Sequence, residues 1–142
     1  MSGSESKTNQ QITQRRVDLE GKGMRILVVD DNQNSADALA AYITSEDIEC
    51  RIAIGGARAV AAAEDWLPDL IIMDVSMPEM NGVEAALLLR NHETTKGIAM
   101  IAFTALDVSD VKRLMTDHEF DGYFQKGQPP ADLLALGKHF MS

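Results

Sequence analysis

Two apolar runs in this chain end in acids. Ile26-Leu27-Val28-Val29 passes straight into Asp30-Asp31, and Leu70-Ile71-Ile72-Met73 passes into Asp74. Two further polar groups stand at comparable points, Thr104 after a third apolar run and Lys126 after a fourth. Three carboxylates in a small space repel one another, and a hard divalent cation relieves that repulsion by binding carboxylate oxygens. Such a site has two uses: it can hold a cation, or it can present one carboxylate as a nucleophile. In the second use Asp74 attacks a phosphoryl group, and a cation such as Mg²⁺ together with Lys126 neutralises the phosphoryl oxygens. The hydroxyl of Thr104 can donate to one of those oxygens. In the absence of metal, the ammonium of Lys126 is the nearest cation available to the acids. The plainer reading is that strand-end acids merely cap the helices that follow. That reading is reasonable for any one aspartate, but not for five polar groups all at the same ends of four strands.

The surrounding pattern explains how these groups come together. Continuous apolar runs alternate with amphipathic stretches, which predicts strands at 25–30, 49–54, 70–74, 98–104 and 122–125. Helices are expected at 34–45, 57–66, 82–90, 108–118 and 130–140, the last with Pro130 in its first turn, where a missing N–H costs nothing. Five βα units with strands apolar on both faces predict an α/β fold, a doubly wound five-stranded parallel sheet with helices on both faces. In such sheets the site lies beyond the C-terminal strand ends, where Asp30, Asp31, Asp74, Thr104 and Lys126 fall.

Composition narrows the function classes. The chain has 142 residues and a net charge of −9, which disfavours a nucleic-acid surface and favours basic partners or a metal. Its single cysteine, Cys50, precludes an intramolecular disulfide and fits a reducing cytoplasm. No apolar run approaches the length of a membrane span, and no signal peptide is visible. Residues 1–23 are rich in Ser, Gln, Thr and charge and read as a disordered tail or linker, with at most a weak amphipathic turn at Ile12, Arg15, Arg16 and Leu19. Residues 24–142 then form the domain. His92, His118 and His139 are scattered without metal-ligand spacing, and Cys50 reads as an unreactive, half-buried thiol.

The acidic pair Asp30-Asp31, Asp74 with Met77-Pro78-Glu79-Met80-Asn81-Gly82 behind it, Thr104-Ala105 and Lys126 together resemble the receiver domain of two-component response regulators. The resemblance covers about residues 24–140 and implies the flavodoxin-like strand order 2-1-3-4-5. It further implies that Asp74 is the phosphoacceptor and that Thr104 and Lys126 contact the phosphoryl group. Mg²⁺ would be held by Asp31, Asp74 and the backbone carbonyl of Ser76, with Asp30 assisting through water. Tyr123 matches the family's aromatic switch position, and its ring is expected to move inward when Thr104 shifts. The implied partners are a histidine kinase or histidine phosphotransfer protein and a downstream protein, with no direct contact to nucleic acid or membrane. The domain is expected to be a monomer or a weak dimer through the predicted helix 108–118, strand 122–125 and helix 130–140. Ser76 and Leu106 occupy the positions that flank the path of the hydrolytic water, which implies slow loss of the phosphoryl group.

Two features depart from the family pattern. Gly127 follows Lys126 where a proline, often after a cis bond, is usual, and Phe120-Asp121-Gly122 replaces a small-residue turn. Three other readings compete with a phosphorylatable receiver: a pseudo-receiver that binds a partner constitutively, a receiver segment of a hybrid histidine kinase, and a hydrolase with an aspartyl-phosphate intermediate. The hydrolase needs a second acid two residues after the nucleophile, and that place is Ser76.

Overall fold

A computed structural model describes residues 9–11, 13–75, 82–105 and 119–142, with side chains from residue 13 onward. Ser76, Leu106, the loop up to Asn81 and the predicted helix 108–118 lie outside the described residues. The strands are β1 (Asn9–Gln11), β2 (Arg25–Asp30), β3 (Glu49–Ile54), β4 (Leu70–Asp74), β5 (Ala99–Thr104) and β6 (Gly122–Gln125). The helices are α1 (Gln33–Ser45), α2 (Gly56–Trp66), α3 (Gly82–Arg90) and α4 (Pro130–His139). The sheet order is β1-β6-β5-β4-β2-β3. Strands β2 to β6 are parallel and, counted among themselves, run 2-1-3-4-5, the expected doubly wound arrangement.

Both faces of the sheet are buried, which is why its strands read as unbroken apolar runs. Along β2, Leu27 and Val29 face a layer that includes Trp66 of α2 and Leu89 of α3. Ile26 and Val28 face the opposite layer, which includes Ile43 of α1 and Leu133 of α4. Helix α1 starts where Asn32 caps it, its side chain accepting from the Ser35 N–H at 2.9 Å. Helix α3 begins at Gly82 because nothing larger fits: a Cβ there would stand 2.8 Å from the Val75 Cα and closer still to the Asp74 carbonyl.

The segment before β2 is not a disordered tail where it is described. Residues 9–11 pair antiparallel with β6, with Gln10 opposite Tyr123. Residues 13–20 run extended and alternate in burial, with Thr13, Arg15, Val17 and Leu19 half-buried and the residues between them exposed. The period is two, so the helical turn suggested by Arg15, Arg16 and Leu19 does not form. Val17 bonds to both sides of the chain's last turn, donating to the Phe140 carbonyl and accepting from the Ser142 N–H, each at 2.8 Å. The polar composition misleads because half the inward positions are held by hydrogen bonds rather than apolar packing. Thr13 Oγ1 donates to Asp121 Oδ1 at 2.5 Å, and Arg15 Nε donates to the same oxygen at 2.8 Å.

Asp121 is therefore more than a departure from a turn pattern. Its carboxylate is fully buried and also accepts from Arg90 Nη2 at 2.6 Å and from the Met100 N–H at 2.9 Å. The same arginine donates to the carbonyls of Lys96, Ile98 and Glu119. This network joins the ends of α3, β5 and β6 to the N-terminal segment, at the pole of the sheet opposite the acids. Asp121→Ala would leave the largely buried Arg90 guanidinium without its counter-charge, at an expected cost of about 3–5 kcal/mol. Equilibrium denaturation measures it, and a loss below about 1 kcal/mol, the value of an exposed pair, would show the network to be superficial.

Candidate functional site

Strands β2 and β4 are parallel neighbours, with Val29 opposite Met73. Their terminal residues, Asp30 and Asp74, must therefore lie side by side at the spacing of adjacent strands, about 4.8 Å. One carboxylate oxygen from each of Asp30, Asp31 and Asp74 lies within 4.8 Å of the other two. Asp30 and Asp74 are buried, and Asp31 is exposed at the mouth. Asp30 is held in place locally: its Oδ1 accepts the Asn32 N–H at 3.0 Å, and its carbonyl accepts the Gly55 N–H at 3.1 Å.

Lys126 reaches this cluster from beyond β6, two strands away from β4. Its Nζ stands 3.2 Å from Asp30 Oδ2 and 3.3 Å from Asp74 Oδ2. The ammonium crosses β5 by passing over the ring of Phe103, 5.3 Å from its centroid. Its backbone is fixed by the N–H, which donates to the Thr104 carbonyl at 2.7 Å. Burial disfavours the ammonium, but Asp74, Asp30 and the hydrogen bonds to both outweigh it and raise its pKa. The Lys126–Gly127 bond is trans, and the chain turns at Gly127 through a φ of +97°, a conformation open to glycine.

Thr104 is fully buried at the end of β5, whose Phe103 pairs with Asp74. The structure thus gathers Asp30, Asp31, Asp74 and Lys126 into contact range, with Thr104 at the end of the adjoining strand. Ser76 lies outside the described residues. The resting position of Tyr123 differs from expectation: its ring is already inward, 3% exposed, in the layer under α2 and α3. Sequence reasoning missed Phe103 as the floor of the lysine's path. The signal, an aromatic beside Thr104 in an apolar strand, does not differ from that of a core residue. Among the described residues the three aspartates are the one group of metal-ligand type. His92 sits near Thr94 and Glu64, and His139 packs edge-on to Phe140. Burial pushes the Cys50 thiol up to about 11, which makes it a poor nucleophile.

The sequence model of the response regulator receiver domain matches residues 26–137. The response regulator PleD of Caulobacter vibrioides is 42% identical over 83 residues, covering 58% of this chain and 18% of PleD. The DNA-binding response regulator MtrA of Mycobacterium tuberculosis is 32% identical over 112 residues, covering 78% of this chain and 47% of MtrA. The chain thus spans less than half the length of either relative. Among solved structures, the response regulator TrrA of Thermotoga maritima, in complex with Mg²⁺–BeF, aligns with a TM-score of 0.74 at 29% identity, covering 82% of this chain and 98% of that one. The Vibrio cholerae chemotaxis protein CheY4 aligns with a TM-score of 0.75 at 24% identity, covering 84% and 99%, a likeness of fold. Among the described residues no helix is long and apolar enough to cross a membrane.

The inward ring of Tyr123 has a measurable consequence. Burial, reinforced by the charge of Glu119, pushes its phenol from 10.0 up to about 12. A pKa raised by folding contributes stability in full below the unfolded value and loses it as pH rises toward the folded one. The difference between wild type and Tyr123→Phe in a near-ultraviolet titration should therefore show a step near 12. A step in the ordinary tyrosine range would place the ring in solvent.

Proposed function

Because the chain belongs to the response regulator receiver domain family, we propose that Asp74 accepts a phosphoryl group from a histidine kinase or a histidine phosphotransfer protein. The observation that carries this reading is the buried Asp74 carboxylate, which shares one lysine with a second buried acid and has a third acid at the mouth. Three carboxylates against one ammonium carry a formal charge of −2. Hard oxygen donors in this number suit Mg²⁺. Asp31, Asp74 and the Ser76 carbonyl would hold it, with Asp30 assisting, and it would supply charge neutralisation at the phosphoryl oxygens.

In the transfer, an Asp74 oxygen forms the new bond to phosphorus as the bond from phosphorus to the donor's imidazole nitrogen breaks. The imidazole leaves with the electron pair of the broken bond and takes up a proton. Lys126 is already within reach of the oxygen that reacts, so its ammonium can pass to a phosphoryl oxygen with little movement. The buried Thr104 hydroxyl donates to another. That draws Thr104 toward Asp74, and because Lys126 is hydrogen-bonded to the Thr104 carbonyl, β5 and β6 feel the shift together. The output is a change in partner binding at the 105–126 side of the sheet. The chain functions as a signalling module rather than as an enzyme with turnover on a small substrate. The hybrid-kinase reading differs only in which chain the domain is attached to. The pseudo-receiver reading loses its motive, since a glycine after Lys126 is compatible with the lysine reaching both acids.

Incubation with Mg²⁺ and a small acyl phosphate or phosphoramidate should add one phosphoryl group, detected by intact mass. Unchanged labelling of Asp74→Ala would refute the assignment. Asp31→Ala should weaken both Mg²⁺ binding and labelling. Lys126→Met should do opposite things to the two: Mg²⁺ should bind roughly tenfold more tightly once a competing cation is gone, while labelling slows. Equal or weaker Mg²⁺ binding in Lys126→Met would show that the lysine and the metal do not share the acids.

The lifetime of the phosphoryl group rests on Ser76 and Leu106, the residues expected to flank the hydrolytic water. A short hydroxyl and an apolar side chain orient that water poorly, and each 1.36 kcal/mol of added barrier slows the loss about tenfold. Decay over minutes or longer is expected in a phosphate-release assay. Decay within seconds would refute the shielding.

A further inference from the structure

Lys126 follows β6, but the acids it contacts end β2 and β4, so its side chain has to cross β5. The β5 residue in its way is Phe103, whose register partners are Asp74 on β4 and Phe124 on β6. Residues opposite one another in neighbouring strands point to the same face of a sheet. Phe103 therefore stands on the face that carries the Asp74 carboxylate, one strand nearer to Lys126.

The ring has a fixed backing. Phe124, 1% exposed, lies against it with a centroid distance of 6.1 Å and a tilt of 34°. On its open side the ring borders a groove of about 310 Å³, whose walls include Leu39 and Tyr42 of α1 and Pro130 at the start of α4. The ammonium of Lys126 passes over the ring 5.3 Å from its centroid. The lysine side chain is 28% exposed, so water and salt weaken its attraction to the acids. The negative face of an aromatic ring attracts a cation as well, and an aliphatic side chain at this position could pack on Phe124 without supplying that face.

We propose that Phe103 is a positioning residue that sets how firmly Lys126 holds the acids against a divalent cation. Asp30 and Asp74 decide where the ammonium sits, and the ring decides how readily it leaves. Mg²⁺ and the ammonium compete for the same carboxylate oxygens, Asp30 Oδ2 and Asp74 Oδ2. Any contact made only while the lysine is on the acids lowers the apparent affinity of the metal. The ring makes such a contact, so it raises the Mg²⁺ concentration at which the lysine yields. The inference rests on the reading of the three aspartates as a Mg²⁺ site, since the metal is the competitor.

Two measurements test it, one of them without metal. In the metal-free protein the ε-methylene protons of Lys126, assigned by their loss in Lys126→Met, should resonate upfield of those of the other lysines, because they lie in the ring's shielding cone. Phe103→Leu should abolish that displacement. Lys126 protons at ordinary lysine positions in wild type would overturn the proposal, whatever the metal does. The second measurement is Mg²⁺ affinity by calorimetry, with 3,4,5-trifluorophenylalanine at position 103. This ring keeps nearly the same shape, and its fluorines withdraw the charge that attracts a cation. Mg²⁺ should bind about two- to fivefold more tightly than to wild type, the range for a cation–π contact at a partly exposed site. A purely packing role for Phe103 predicts no change, and unchanged or weaker binding would overturn the proposal. In the Lys126→Met background the same fluorination should have no effect, and a persisting effect would show that the ring does not act through the lysine. If wild type takes up no Mg²⁺, the metal reading of the site fails, and the hold of Phe103 on the lysine is decided by the proton shift alone.

Discussion

Repulsion between Asp30 and Asp74 is the interaction around which the rest of this domain is organised. Parallel pairing of β2 with β4 puts the two acids at neighbouring strand ends, and burial removes the water that would screen them. Two like charges about 4 Å apart cost on the order of 4 kcal/mol in a partly screened environment. The same arithmetic makes one ammonium in contact with both acids worth about as much in return. That ammonium comes from Lys126, two strands away, and it arrives only if β5 and β6 are in register and Phe103 supports its path. The electrostatics of the site therefore tie four strands together, and any group that takes the place of Lys126 on Asp74 acts on all four.

At the opposite pole a buried acid, Asp121, is shared by Arg90 and Arg15. It also completes the β5–β6 pairing, since its N–H donates to the Met100 carbonyl at 2.7 Å while its carboxylate accepts the Met100 N–H. The two ends of β6 are thus held with unequal strength. One end has a buried carboxylate saturated with donors. The other has a lysine whose side chain is 28% exposed. On the reading proposed above, phosphorylation of Asp74 would act first on the weakly held end, because local transitions follow the least protected contacts. The N-terminal end of β6 then serves as the fixed point of the movement.

Much of this was legible in the residues. Apolar runs ending in Asp30, Asp74 and Thr104 gave away both the parallel sheet and the end at which the site lies, because strands buried on both faces have few places to keep a polar group. What escaped was held by polar contacts at long range in sequence. Thr13 and Arg15 look like solvated tail residues until Asp121, more than a hundred positions later, is placed beside them. The alternation of burial over residues 13–20 is regular, but only two of its inward positions, Val17 and Leu19, are apolar. A hydrophobic period cannot be read from so few. Tyr123 escaped for a different reason. Its residue type marks a position that can point either way, and the structure shows it buried on the sheet face that also carries Met100 and Ala102.

The glycine after Lys126 shows how a departure from a family pattern can leave the chemistry in place. The lysine's backbone is fixed before the departure occurs, by its own N–H on the Thr104 carbonyl and by the preceding ladder of β6. Its side chain is fixed by the two acids. What remains for residue 127 is to turn the chain toward Pro129 and Pro130, where α4 begins. A trans bond followed by a left-handed glycine does this, and a Cβ at that position would meet nothing within 4 Å. The requirement is therefore on the backbone angle and not on space. The identity of residue 127 bears on how α4 is launched, while the position of the Lys126 ammonium is decided by Thr104, Asp30 and Asp74.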